Sequence, residues 1–334
     1  MTPLRIVVTM DCEPTTALTD ASATGPATWA FGERAVSGYA EIARSYGLPV
    51  TFFVHPETAA AQAAMFATLR DDGACLGLHV HPWKYALSTH AGRRYLEHMG
   101  GLPEDEQRAL VAETAQAWSR AFGERPLHFR PGTFSANDAT YRVLADAGFS
   151  GCSCALPGRQ MPEMRANWTG VDPDPHRANA TFRQVAGTLA LAEMPLSVDF
   201  SRTLRGRLGG TFHPDLRPDI DWSAQYGLGY DDIADAIVAQ VLARAPLVPV
   251  VNLLTHNQFD YRDPADPARQ RLLRALDALM KACEARGAKP VGATMADVTA
   301  AVLALPPRDE AFVCEGNVYG RSGGVGTLAT RAGG

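Results

Sequence analysis

Two histidines one residue apart, His79-Val80-His81, carry the strongest chemical signal in the chain. On an extended strand residues two apart project to one face, so both imidazoles can reach a single ion. Zinc and its first-row neighbours accept imidazole nitrogen at about 2.0–2.1 Å, and a third, carboxylate ligand leaves a position for water. Asp11 and Glu13 share a face by the same spacing. One of them can complete a two-histidine, one-carboxylate site while the other takes a proton from the activated water. A lone His-x-His pair fits two independent histidines better than a metal site; Asp11 and Glu13 at a strand end reverse that preference.

Other polar residues stand where they could serve the same chemistry. His256 follows a buried apolar run and could protonate a leaving amine. Arg130, before Pro131-Gly132, is placed to orient the base carboxylate by a charge-assisted bond, although a structural salt bridge would use the same contact. His55, at another run's end, suits a substrate contact or support for the centre. Trp83 suits core packing or a sugar-stacking platform. Arg159 and His213 could line a pocket. Cys12, between the two acids, suggests a nucleophile, but alternation points it to the opposite face.

The elements that must position these residues alternate. Apolar runs at 4–10, 50–54, 75–80, 127–129, 149–155, 248–254 and 289–292 read as strands. Segments with helical spacing fall at 33–46, 59–72, 104–122, 138–147, 231–243, 268–286 and 295–303, several ending at glycine. Seven alternations predict a parallel α/β barrel, whose active site lies at the carboxyl ends of the strands. Five of the seven runs end in His, Arg or a carboxylate. Residues 156–230 break the rhythm and read as a long insertion shaping the pocket, because an unstructured loop of that length is rare in a compact domain. The chain is expected to form one domain over 1–305 and a loosely ordered Gly-rich tail over 306–334. A phosphate-loop reading of residues 320–326 lacks the flanking strand and helix.

Composition narrows the partners. The 334 residues include 31 Lys+Arg and 36 Asp+Glu, a formal charge of −5, with 46% hydrophobic residues. That excludes a disordered chain or a disulfide-dependent miniature fold, and no basic stripe favours nucleic acid or an anionic membrane. No apolar stretch is long enough to span a bilayer. The first apolar run is a strand's length and gives way to acids, so it is not a signal segment and a cytoplasmic protein is expected. The six cysteines are scattered and read as free thiols. A homo-oligomer is compatible with all of this.

In order, these segments resemble the polysaccharide deacetylases of carbohydrate esterase family four, the NodB-homology fold, from about residue 4 to residue 303. The resemblance rests on Asp11 and Glu13, Val50-Thr51-Phe52-Phe53-Val54, Gly77-Leu78-His79 with His81-Pro82, Phe129-Arg130-Pro131-Gly132, and Leu253-Leu254-Thr255-His256. It implies a distorted (β/α)7 TIM-like barrel with a long insertion. It implies that Asp11 is the catalytic base, that Glu13, His79 and His81 hold the metal, that Arg130 tethers Asp11, and that His256 is the general acid. Pro131 and Gly132, with His55, Trp83, Arg159 and His213, are the substrate-side candidates. The aspartate and tryptophan that support the acid histidine in the family find their match in Asp219-Ile220-Asp221-Trp222. Three features depart from the family: the acids are separated and the second is Glu, one residue rather than about three parts the histidines, and the Pro-Pro-x-Gly turn is shortened.

The expected activity is metal-dependent removal of an N-acetyl or similar acyl group from an amino sugar, a nucleotide sugar or an amino-sugar-containing metabolite. One divalent ion is implied, zinc first, with cobalt, nickel, manganese or iron as alternatives. Two other readings stand beside it: a hydrolase of the same fold acting on a non-sugar amide or imide, with or without metal, and a non-catalytic binding protein.

Overall fold

The computed structural model describes residues 2–92, 94–206 and 209–307. The Gly-rich tail beyond residue 307, with Cys314 and residues 320–326, lies outside them. The strands are β1 (Thr2–Cys12), β2 (Val50–Val54), β3 (Cys75–Val80), β4 (His128–Pro131), β5 (Gly151–Cys152), β6 (Gln160–Met161), β7 (Ala166–Asn167), β8 (His176–Arg177), β9 (Ala192–Glu193), β10 (Leu204–Arg205), β11 (Thr211–Phe212), β12 (Val250–His256) and β13 (Ala288–Gly292). The helices are α1 (Trp29–Ser45), α2 (Pro56–Asp71), α3 (Pro82–Ser88), α4 (Glu104–Phe122), α5 (Thr140–Asp146), α6 (Trp222–Tyr226), α7 (Tyr230–Arg244), α8 (Pro267–Ala285) and α9 (Met295–Leu303).

The main sheet runs β12-β1-β2-β3-β4-β5-β9-β8, with β13 paired to the start of β1. All its pairs are parallel except β8–β9. It curls into a distorted barrel. Its far ends are stitched by Asn252 of β12, which exchanges bonds with Ser197 and donates to the Pro195 carbonyl at 3.2 Å.

Period-two alternation sorts β1. Leu4, Ile6, Val8, Met10 and Cys12 join the core under the outer helices. Val7 turns inward to a second cluster with Phe53, Met194 and Val250, where Met295, Val298 and Val302 of α9 pack. Thr9, Asp11 and Glu13 share that inward face, above the apolar filling. Burying a polar row there requires partners for each group, and the site below supplies them.

The excursion is partly built into the barrel. Within it β8 and β9 extend the main sheet, β9 pairing with β5, while β10-β11-β6-β7 form a separate four-stranded sheet. Two-residue strands carry no readable period, so the sequence places an insertion here without fixing its strands. The strand expected over 149–155 narrows to Gly151–Cys152, and α3 is a helix that periodicity did not predict. No helix among the described residues is long and apolar enough to cross a membrane. The five cysteines described are free.

Candidate active site

Parallel register brings the site residues to one level. Asp11 pairs with His256 across β1–β12 and with Phe53 across β1–β2. Phe53 pairs with Gly77, and two residues on His79 pairs with Arg130. Gly77 is required there, since a Cβ would lie 2.8 Å from the Phe53 ring. His55 and His81 each cap a helix whose first residue is proline. Proline holds the preceding residue extended and suits the first helical position, so each His-Pro pair ends a strand and starts a helix at the site.

The buried centre gathers Glu13, His79 and His81. Glu13 Oε1 lies 3.3 Å from His79 Nε2 and 2.9 Å from His81 Nε2. The other nitrogen of His79, Nδ1, lies 2.9 Å from the Arg130 carbonyl, an acceptor that places a proton on Nδ1 and orients Nε2 toward Glu13. Burial, with Lys84 and His79, holds His81 well below the usual histidine range against the pull of Glu13. Burial pushes Glu13 upward, but His81, Lys84 and His79 outweigh it and keep the carboxyl well below its usual range. Two imidazoles and a carboxylate within coordinating reach form a donor set that fits a zinc-like ion. Glu13 Oε2 accepts no directed hydrogen bond and faces the Lys84 ammonium at 2.9 Å.

Asp11 stands beside this set. Its Oδ1 accepts from Arg130 Nη1 at 2.8 Å, and its Oδ2 lies 4.0 Å from His79 Nδ1. Arg130 is fully buried, also donates to Thr9 Oγ1 and Ser153 Oγ, and lies 4.2 Å over the Phe53 ring. Truncating one partner of such a pair costs about 3–5 kcal/mol, so the carboxylate is firmly held. On the other side Asp219 takes the Nδ1 of His256 on one oxygen and Thr255 Oγ1 at 2.7 Å on the other. Burial works against protonating His256, but Asp219, then Asp11 and Glu13, hold it above the usual histidine range. Cys12 faces the core, and burial with the flanking carboxylates pushes its thiol well above normal, the opposite of an activated nucleophile.

Residues 25–152 match the family model described as polysaccharide deacetylase, a segment holding His55, His79, His81 and Arg130. Over that segment the chain is similar to the polysaccharide deacetylases. Among solved structures, a candidate polysaccharide deacetylase from Mycobacterium smegmatis is 18% identical, with 92% of this chain and 94% of that one covered at a TM-score of 0.56. A polysaccharide deacetylase candidate from Pseudomonas aeruginosa PAO1 is 13% identical, with 89% and 90% covered at 0.53. Puue allantoinase is 13% identical, with 92% of each chain covered at 0.56. At these identities the likeness is one of fold. No curated protein sequence matches the chain.

On this deacetylase fold the remaining candidates divide. The close histidine spacing still brings both rings to one carboxylate, because His79 ends the strand and His81 follows it in extended conformation. Trp83 stands edge-on to His81 at 6.0 Å, and both open on a cavity of about 690 Å³ with His98, Thr133 and Met164. His55 is buried behind His79, its Nδ1 paired with Glu57. Pro131 and Gly132 form the turn after Arg130, and Gly132 packs against the His81 ring. Arg159 and His213 lie in the excursion: Arg159 donates to the Met161 and Met164 sulfurs, and His213 Nδ1 to the Arg202 carbonyl. None of these bonds reaches the central cluster.

Three residues there are ones the sequence did not assign to the site. Asn257 clamps Glu13, accepting its N–H at 2.9 Å and donating to its carbonyl at 3.1 Å. Lys84 stands beside Glu13, and His98 in the cavity wall. Only Asn257 had a local signal, its place directly after His256. A second group, Cys152, Cys154 and Glu193, is also close-set. There the carboxylate already accepts from the Cys154 and Ala155 N–H groups and the Cys152 thiol, so it is a satisfied structural knot.

A Cβ at Gly132 would stand 2.2 Å from His81 Cγ and Nδ1. Gly132→Ala is therefore expected to destabilise the protein by ~1–3 kcal/mol by displacing that ring. Thermal denaturation checks this, and an unchanged Tm would mean that the ring has room to move.

Proposed function

We propose that the protein is a hydrolase that removes an N-acetyl or similar acyl group from an amino sugar or a compound containing one, with Glu13, His79 and His81 holding one divalent cation. The observation that carries this reading is the convergence of both histidine Nε2 atoms on Glu13 Oε1, beside an aspartate tethered by a buried arginine. The family match over 25–152 supports a hydrolase of the deacetylase class. Because the residues involved run from Asp11 to His256, we read residues 1–305 as one catalytic domain.

The cation, when bound, supplies Lewis acidity toward the acyl oxygen and the attacking water. Asp11 takes the proton from that water on Oδ2, since Oδ1 is occupied by Arg130. Arg130 fixes the direction of that carboxylate. His256, anchored through Nδ1 on Asp219, gives its Nε2 proton to the departing amine. Trp83 offers its ring to the apolar face of the sugar in the cavity beside His81.

Purified protein loaded with zinc is expected to release acetate from members of a panel of N-acetylated amino sugars and to lose that activity on chelation. No release from any member would sink the reading. A second reading, metal-free hydrolysis of a non-sugar amide, is favoured by one feature, the Lys84 ammonium 2.9 Å from Glu13. Undiminished activity after complete metal removal would select it.

A further inference from the structure

Each acid of the centre already has a buried cation at its side. Asp11 pairs with Arg130 at 2.8 Å, and Glu13 Oε2 lies 2.9 Å from Lys84 Nζ. Lys84 is fully buried, and its Nζ donates to the Thr24 carbonyl at 2.8 Å and to Thr24 Oγ1 at 2.9 Å. Two Thr24 acceptors and the Glu13 carboxylate thus surround the one amine, the setting of a buried lysine paired with an acid. The contact with Oε2 is an ion pair without directed hydrogen-bond geometry, so it acts through charge. Histidines coordinate as neutral imidazoles. The four charged side chains Asp11, Glu13, Lys84 and Arg130 therefore sum to zero before any metal enters.

We propose that Lys84 is a positioning residue that keeps the metal affinity of this centre low, an inference that rests on Glu13, His79 and His81 being the ligand set. Its ammonium neutralises Glu13 in the metal-free protein and ties it to the Thr24 loop, so the empty centre is stable without a cation. The same ammonium repels a divalent ion bound to that carboxylate. Removing the charge acts twice in one direction. It lifts the repulsion, and it leaves a buried carboxylate uncompensated until a metal arrives. The centre is thereby suited to an exchangeable ion rather than a permanently held one.

The test uses the full chain and zinc alone, with affinity measured by competition against a chromophoric chelator for wild type, Lys84→Met and Lys84→Gln. Both variants are expected to bind zinc at least about tenfold more tightly than wild type. Their metal-free forms should melt lower, and zinc should raise their Tm by more, since stabilisation grows with the ratio of free ligand to Kd. Lys84→Gln keeps a donor for Thr24 and Glu13 without the charge, so it decides the matter if Lys84→Met does not fold. Equal or weaker zinc binding by folded Lys84→Gln overturns the role of Lys84 and leaves the ligand set standing. Zinc binding by none of the three proteins overturns the ligand set as well.

Discussion

Asp11→Asn is expected to lower kcat and kcat/KM for acyl release together, by about 10²–10⁴-fold, with zinc affinity little changed. The amide oxygen can still accept from Arg130 Nη1, so the side chain stays in place while the proton-accepting oxygen is lost. Arg130 loses a charge partner but keeps Thr9 Oγ1 and Ser153 Oγ, so the stability cost should fall short of the ~3–5 kcal/mol for truncating a buried pair. Steady-state kinetics beside a chelator-competition titration separate the two effects. Full activity in Asp11→Asn would remove the aspartate from the mechanism. Lost activity together with lost zinc binding would mean that it acts through the ligand set instead.

The second large effect concerns His256. His256→Asn should reduce turnover by roughly 10²–10⁴-fold, most strongly for substrates with a basic, poorly departing amine. Its pH dependence carries more information. Asp219, with Asp11 and Glu13, raises His256 above its ordinary value against the effect of burial, so the acid form persists to higher pH and the alkaline limb of kcat lies above that of a free histidine. Asp219→Asn should draw that limb toward lower pH while leaving the acidic limb in place. For stability the sign is the same. A histidine raised by folding stabilises the native state fully below its unfolded pKa, and that contribution is lost as pH rises through the folded value. Asp219→Asn should therefore flatten the loss of Tm on the alkaline side. A pH–rate profile identical in wild type and Asp219→Asn would count against His256 as the acid.

Much of this arrangement follows from local rules that a sequence displays. The period of two placed Asp11 and Glu13 on one face and His79 and His81 on another, and these residues do meet in one centre. The helices over 104–122 and 295–303 lie where spacing and capping put them, α4 stopping at Gly123 with φ 72° and α9 starting on a Thr294–Asp297 capping box. Each of these features depends on a few neighbouring residues, so the chain declares it without knowing its fold.

What the tertiary structure alone decided is how those pieces are paired. Lys84 sits on a seven-residue helix too short to show an apolar stripe, and only the approach of the Thr24 loop and Glu13 makes it part of the centre. Asn257 clamps a residue 244 positions away, and Asp219 reaches His256 from an excursion whose strands are two residues long. Such contacts leave no periodic trace, because nothing in the local backbone requires them. They exist because a polar row buried inside a barrel must find partners wherever the fold brings them. Residue types and their alternation thus specified an acid-and-histidine centre at the strand ends, while long-range packing determined which cation balances each acid.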